Sequence, residues 1–245
     1  MRLKSIVKYY GHDLVKSVAI FYVVMALLII SVNTLVAVSV NEGNGFTGGG
    51  DFATAVFIFI VGLNSFKQNF LFLSTNSITR KLQFKGILIA AVLLCGFMAL
   101  VDITYSNILA QFTDFRSAFN QIYGAWTEQT SGPLIILTSI CWSFTVNVAA
   151  FLAGYFITNL YYKMTKSLKI IVSVTVPVLI TVVYPIIEET VTNGRITQGI
   201  IDISRALAGL GESINPFIGV LSLLVLATVA AAMSFLLIRR AVVKK

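Results

Sequence analysis

Six stretches of this chain are apolar over the length a helix needs to cross a bilayer, and no other feature narrows its fold so far. They run from about Ser17 to Val40, Phe52 to Leu73, Phe84 to Leu109, Pro133 to Leu160, Leu168 to Ile187 and Ile214 to Ile238. A helix rising 1.5 Å per residue crosses the hydrocarbon core in about 20 residues. Hydrophobic residues make up 57% of the chain and charged ones 11%, against roughly 45–50% and about 25% in a soluble domain. One globular core of 245 residues could not bury so much apolar surface, which excludes a large soluble catalytic domain. With 4 prolines and no repeat or low-complexity segment to mark a linker, residues 1–245 are expected to form a single all-α, polytopic membrane domain.

The second stretch is the irregular one. Only Phe52 to Leu63 is cleanly apolar, too short to cross unaided. The helix is therefore expected to continue through Asn64, Lys67, Gln68 and Asn69, with Phe66, Phe70 and Leu73 on one face at i, i+4 and i+7. Ahead of the first span, Leu3, Val7, Tyr10 and Leu14 recur at helical spacing among Arg2, Lys4, Lys8 and Lys16. That pattern suits a helix lying on an anionic membrane face, or a solvated basic tail that orients the first span. The stretch from Ser17 to Val40 is too long for the apolar region of a secretory signal, so it is kept as a span.

Charge sets the expected topology. Of the 18 Lys and Arg, all but Arg116, Arg195 and Arg205 fall in the N-terminal segment, the 64–86 and 161–169 connections, and the C-terminal tail. Of the 10 acidic residues only Asp13 shares that side. By the positive-inside bias both termini are cytoplasmic. The basicity is thus a topology signal and not a mark of nucleic-acid binding.

Two outer connections carry amphipathic patterns. Phe112, Phe115, Phe119, Ile122 and Trp126 share a helical face, with Asp114, Arg116, Asn120 and Glu128 elsewhere around it, as in an interfacial helix. Ile196, Ile200, Ile203, Leu207 and Leu210 repeat the pattern, ended by Gly209 and Gly211. Phe115, Phe119, Trp126, Ile200 and Ile203 are candidates for an outer gate, and the alternative is that both helices only cap and anchor the bundle.

Familiar catalytic constellations are missing. Glu188-Glu189 at a span end would need partner histidines for intramembrane proteolysis, and the one histidine, His12, lies on the opposite side. Ser-His dyads, zinc clusters and bis-histidine haem fail for the same reason. No catalytic, cofactor-binding or metal-ligating residue is assigned. Cys95 and Cys141 are isolated within apolar segments. Asp102, 18 residues past Phe84, falls about 27 Å along its helix, near the outer headgroups. The sequence has no Gly-rich Lys-Ser/Thr phosphate loop, so the chain is not expected to use ATP itself. Small residues recur at Ala149 with Ala153, Ala150 with Gly154 and Ala227 with Ala231, where helices can approach closely within the fold or between subunits.

The run Gly62, Phe66, Phe70 and then Asn76-Ser77-Ile78-Thr79-Arg80-Lys81 resembles the segment of bacterial ATP-binding-cassette type-2 permease subunits where span 2 enters a cytoplasmic coupling helix. Tyr161-Tyr162-Lys163 to Lys169 ahead of a span with Pro177, and the basic Arg239-Arg240-Ala241, resemble that family's span 4–5 turn and C-terminus. The resemblance implies the translocating subunit of an exporter in the plasma (inner) membrane of a bacterium, a homodimer or a heterodimer with a related permease, in contact with membrane lipid. It implies a separate cytoplasmic ATPase, holding ATP and Mg, docked through Phe66, Phe70, Leu73, Asn76, Thr79, Arg80 and Lys81. With few ionisable groups in the spans, the driving energy is expected from that partner, and an apolar path suits a hydrophobic or amphipathic cargo, foremost a peptide. A nonenzymatic membrane scaffold or small channel subunit is the competing class.

Overall fold

The computed structural model describes residues 2–39, 50–112, 115–192, 194–211 and 213–239. Every element among them is helical, apart from an isolated bridge between Leu210 and Ile214. In chain order the α-helices are α1 (Arg2–Ser39), α2 (Gly50–Asn64), α3 (Lys67–Thr75), α4 (Arg80–Phe112), α5 (Ala118–Ile122), α6 (Gly124–Thr127), α7 (Gly132–Lys163), α8 (Lys166–Val178), α9 (Tyr184–Ile187), α10 (Arg195–Ala208) and α11 (Pro216–Arg239). Six helical segments are long and apolar enough to cross a membrane: Leu3–Ser31, Phe52–Thr75, Arg80–Gln111, Gly132–Lys163, Lys166–Thr190 and Pro216–Arg239. The protein is an all-α, multi-pass membrane protein.

Helix α7 is the axis of the bundle, packed against α2 on one side and α11 on another, while α1 packs along α4. In lipid, apolar burial no longer drives helices together, and close backbone approach takes its place. Gly62 and Gly154 supply it. A Cβ on Gly62 would overlap the Phe151 carbonyl of α7, and one on Gly154 would overlap the Phe59 carbonyl of α2. Gly154 is therefore a packing residue within this chain. Ala227 of α11 is buried in the same core, with Ala149, Ala150 and Ala231 packed at its edge.

Three expectations need correction. The N-terminal residues form no separate surface helix: they are the first turns of α1, with Ile6 and Tyr10 buried beside Gly86 of α4. Helix α1 runs unbroken from Arg2 through Ser17, and Gly11 within it costs only about 0.5–1 kcal/mol relative to Ala. The second span is not one continuous helix. It breaks at Ser65–Phe66, where Asn64 Nδ2, Ser65 Oγ and Asn69 Nδ2 donate to the carbonyls of Ile60, Val61 and Ser65. Thr158 Oγ1 of α7 donates to the Leu63 carbonyl at 2.6 Å, satisfying an acceptor that the break leaves over. The aromatic outer connection is likewise two short helices, because Ser117 caps α5 by accepting from the Asn120 amide and Tyr123 closes it. Phe112 ends α4, and Asp114 lies outside the described residues.

The fifth span differs from the rest. Its helix α8 passes through two π turns, 179–183 and 188–192, that flank α9. None of its residues from Lys166 to Thr190 is buried within the chain. At its far end Glu188 accepts from the Thr197 amide at 2.8 Å, holding the start of α10. Helix α10 ends as the glycines foretell. Gly209 is left-handed (φ 72°), with its amide donating to Ala206 O and that of Leu210 to Arg205 O, a Schellman motif. A side chain there would also overlap the Asn215 carbonyl.

Candidate functional site

At one end of the bundle, here the basal end, the start of α1, helix α3, the start of α4 and the ends of α7 and α11 converge. Phe66 and Phe70 stack on each other with ring centroids 5.0 Å apart. Both meet Tyr162 of α7 edge-on, at 5.3 and 5.7 Å. Phe66, Phe70 and Leu73 are only 3%, 2% and 2% exposed. This corrects the expectation that their face docks on a partner: it is already spent on the chain's own core. The break at Ser65–Phe66 is the physical reason, since it turns α3 and swings its apolar face onto α7 and α1.

What the basal end offers outward is different. Asn76, Ser77, Thr79, Arg80 and Lys81 are exposed, on a turn whose shape is fixed from within. The Ser77 backbone is left-handed (φ 56°). Gln83, buried beneath the turn, donates to the Ile78 carbonyl at 2.9 Å and to Ser74 Oγ at 3.3 Å. Arg80 donates to the carbonyl of Arg239 at 2.9 Å, tying the turn to the last residue of α11. Beside it Phe72, half exposed, stacks on Tyr9 of α1 at 5.0 Å with an interplanar angle of 17°. The sequence held a signal for this pair: Phe72 is two residues from Phe70, so a helix that buries one presents the other.

The opposite end is capped. Phe119, Tyr123 and Trp142 form a second core with Ala118, and Trp126 packs at its edge. Tyr123 Oη donates to the Ala208 carbonyl at 2.7 Å, and a Cβ on Gly219 of α11 would stand 2.5 Å from that hydroxyl. Burial pushes the Tyr123 phenol up from its usual range, so it stays a donor. Phe115 and Phe119 are 5% and 2% exposed and act as cap rather than surface. Ile200 and Ile203 on α10 are 51% and 62% exposed. The five gate candidates are thus not one surface: Phe119 and Trp126 belong to the cap cluster, Phe115 is buried beside Tyr105, and Ile200 and Ile203 are exposed on α10.

Beneath the cap lies a cavity of about 80 Å³ between α4, α5 and α7. Asp102, 5% exposed, lines its inner part, and exposed Asn107, Asn120 and Ile136 form its mouth. Tyr22 Oη of α1 and Thr54 Oγ1 of α2 both donate to Asp102 Oδ1, at 2.9 and 3.0 Å. Asp102 is thus held at the junction of α1, α2 and α4. The polar pairs Asp102 with Ser106 and Ser139 with Ser143, each at i, i+4 on a spanning helix, are the sequence counterpart of this cavity.

No group of three or more His, Cys, Asp or Glu able to hold a metal ion occurs among the described residues. No protein-family model matches the chain, and no curated protein or solved structure is detectably similar to it.

Proposed function

We propose that the chain is the transmembrane subunit of an ATP-driven exporter of the type-2 permease kind, set in a bacterial plasma membrane with its basal end and both termini in the cytoplasm. The observation that carries this reading is the exposed basic turn 76–81, held rigid by Gln83 and tied through Arg80 to the end of α11. A rigid, charged projection linked to two spans is the form a docking site for a force-generating ATPase requires. Its apolar anchor is Phe72, beside Asn76, Thr79 and Lys81, rather than Phe70. ATP and Mg belong to the partner. A dimer with a second copy or a related permease belongs to the same reading. The cargo is a hydrophobic or amphipathic molecule, foremost a peptide.

The test is capture of a nucleotide-hydrolysing subunit on the tagged chain from native membranes. The native chain brings the ATPase down, while Phe72→Ala with Lys81→Glu, two exposed positions, loses it at an unchanged folded yield. A native chain that captures no ATPase, or a double variant that captures it undiminished, refutes the reading.

A further inference from the structure

We propose that the groove between the basal ends of α7 and α11 binds an anionic phospholipid, its acyl chain lying between the two helices and its phosphate on Lys163. The site requires only that both helices span a membrane, so it stands apart from the exporter reading. Phe156, Leu160 and Lys163 follow one another at i, i+4 and i+7 on α7, and with Met233, Leu236 and Leu237 of α11 they line a cavity of about 340 Å³. Half-buried Phe156, Leu160 and Leu237 make its floor. Met233 and Leu236, 46% and 60% exposed, form the outer wall. All the lining side chains but one are apolar, and the one charge stands at the end of the row.

Charge selects the headgroup. Lys163 is the last residue of α7, and Arg239 is the last of α11, three residues beyond Leu236 and so on the same side of its helix. The Arg239 carbonyl accepts from Arg80 at 2.9 Å, which brings a further guanidinium to the tip of α11. Neither α7 nor α11 contains an acidic residue. The walls of the groove therefore offer these cations no carboxylate, and a lipid phosphate supplies the counter-charge, as in other basic pockets between spanning helices. A zwitterionic headgroup would bring its own ammonium toward Lys163 and gain less. A second copy of this chain would match the apolar floor but not the charge, because its basal end is as basic as this one.

The experiment is native mass spectrometry of the full chain released from neutral detergent, with dioleoyl phosphatidylglycerol and dioleoyl phosphatidylcholine added at equal concentrations. The native chain should retain the anionic lipid in preference, by roughly fivefold or more. Lys163→Gln, at an exposed position, should cut that preference roughly fivefold, a difference of about 1 kcal/mol. Lys67→Gln removes another exposed basal lysine, one outside the groove, and should leave the preference unchanged. Met233→Trp fills the groove with the charge in place and should abolish the preference. Glycerol 3-phosphate, a phosphate without acyl chains, should not displace the lipid. Equal retention of the two lipids, an equal loss in Lys67→Gln and Lys163→Gln, undiminished preference in folded Met233→Trp, displacement by glycerol 3-phosphate, or a lipid-free dimer overturns the proposal.

Discussion

Replacing Phe70 by Ala tests whether the face that looks made for a partner belongs to the fold. The side chain is 2% exposed and touches the rings of Phe66 and Tyr162 at 5.0 and 5.7 Å. Truncating a buried Phe in a water-soluble core costs about 3–5 kcal/mol. Part of that cost is transfer from water, and it shrinks where the unfolded reference stays in the membrane. Two aromatic pairs at about 0.5–1.5 kcal/mol each, plus a void, leave about 2–4 kcal/mol. Phe72→Ala removes one stacked ring from a half-exposed site and opens no void, so it should cost about 1 kcal/mol. The assay is unfolding in mixed micelles of a neutral detergent and increasing dodecyl sulfate, followed by helical circular dichroism. Phe70→Ala should unfold well before Phe72→Ala, and Phe72→Ala close to the native chain. Equal midpoints, or the reverse order, would mean that Phe70 faces outward and that the burial argument is wrong.

Tyr123→Phe should lower stability by about 0.5–1.5 kcal/mol through loss of the hydrogen bond to Ala208 O. Because burial raises the folded phenol above its unfolded value of about 10, this contribution is complete below that value and is lost as pH rises through the raised one, so native and variant unfolding midpoints should converge only in strong alkali. Topology is tested in a chain lacking Cys95 and Cys141: cysteines placed at Ser77 or Thr165 should resist a membrane-impermeant maleimide in intact cells while one at Gln129 reacts, and the opposite pattern would invert the assigned orientation.

The features legible in the sequence were those set by length and local geometry. An apolar run of about 20 residues is a span in almost any context, and Gly209 and Gly211 after an amphipathic repeat mark a helix end wherever the helix packs. What was hidden depended on neighbours. The pattern Phe66, Phe70, Leu73 announces an apolar face, but whether α7 or another protein covers it is decided by Tyr155 and Tyr162, almost a hundred residues away. The kink that aims this face comes from Ser65 and Asn69 bonding to nearby carbonyls, a competition that periodicity does not register. The cap was misread for a related reason. Phe115, Phe119 and Trp126 fit one helical wheel, yet Ser117 starts a new helix and Tyr123 finds Ala208, so the aromatics turn inward instead of lying along the headgroups. The partners of Asp102, Tyr22 and Thr54, lie 80 and 48 residues away, and no spacing in the sequence announces them.

The bond from Arg80 to the Arg239 carbonyl gives the two ends of the molecule a common strut. Helix α11 is continuous from Pro216 to Arg239, about 36 Å at 1.5 Å per residue, with proline only at its first position. Its lower tip is gripped by the basal turn, and its upper turn sits under the Tyr123 hydroxyl through Gly219. The fifth span, by contrast, is interrupted by Pro177, Pro185 and two π turns and would absorb an axial push by bending. Under the exporter reading, a push on residues 76–81 would pass along α11 toward the cap at the opposite end.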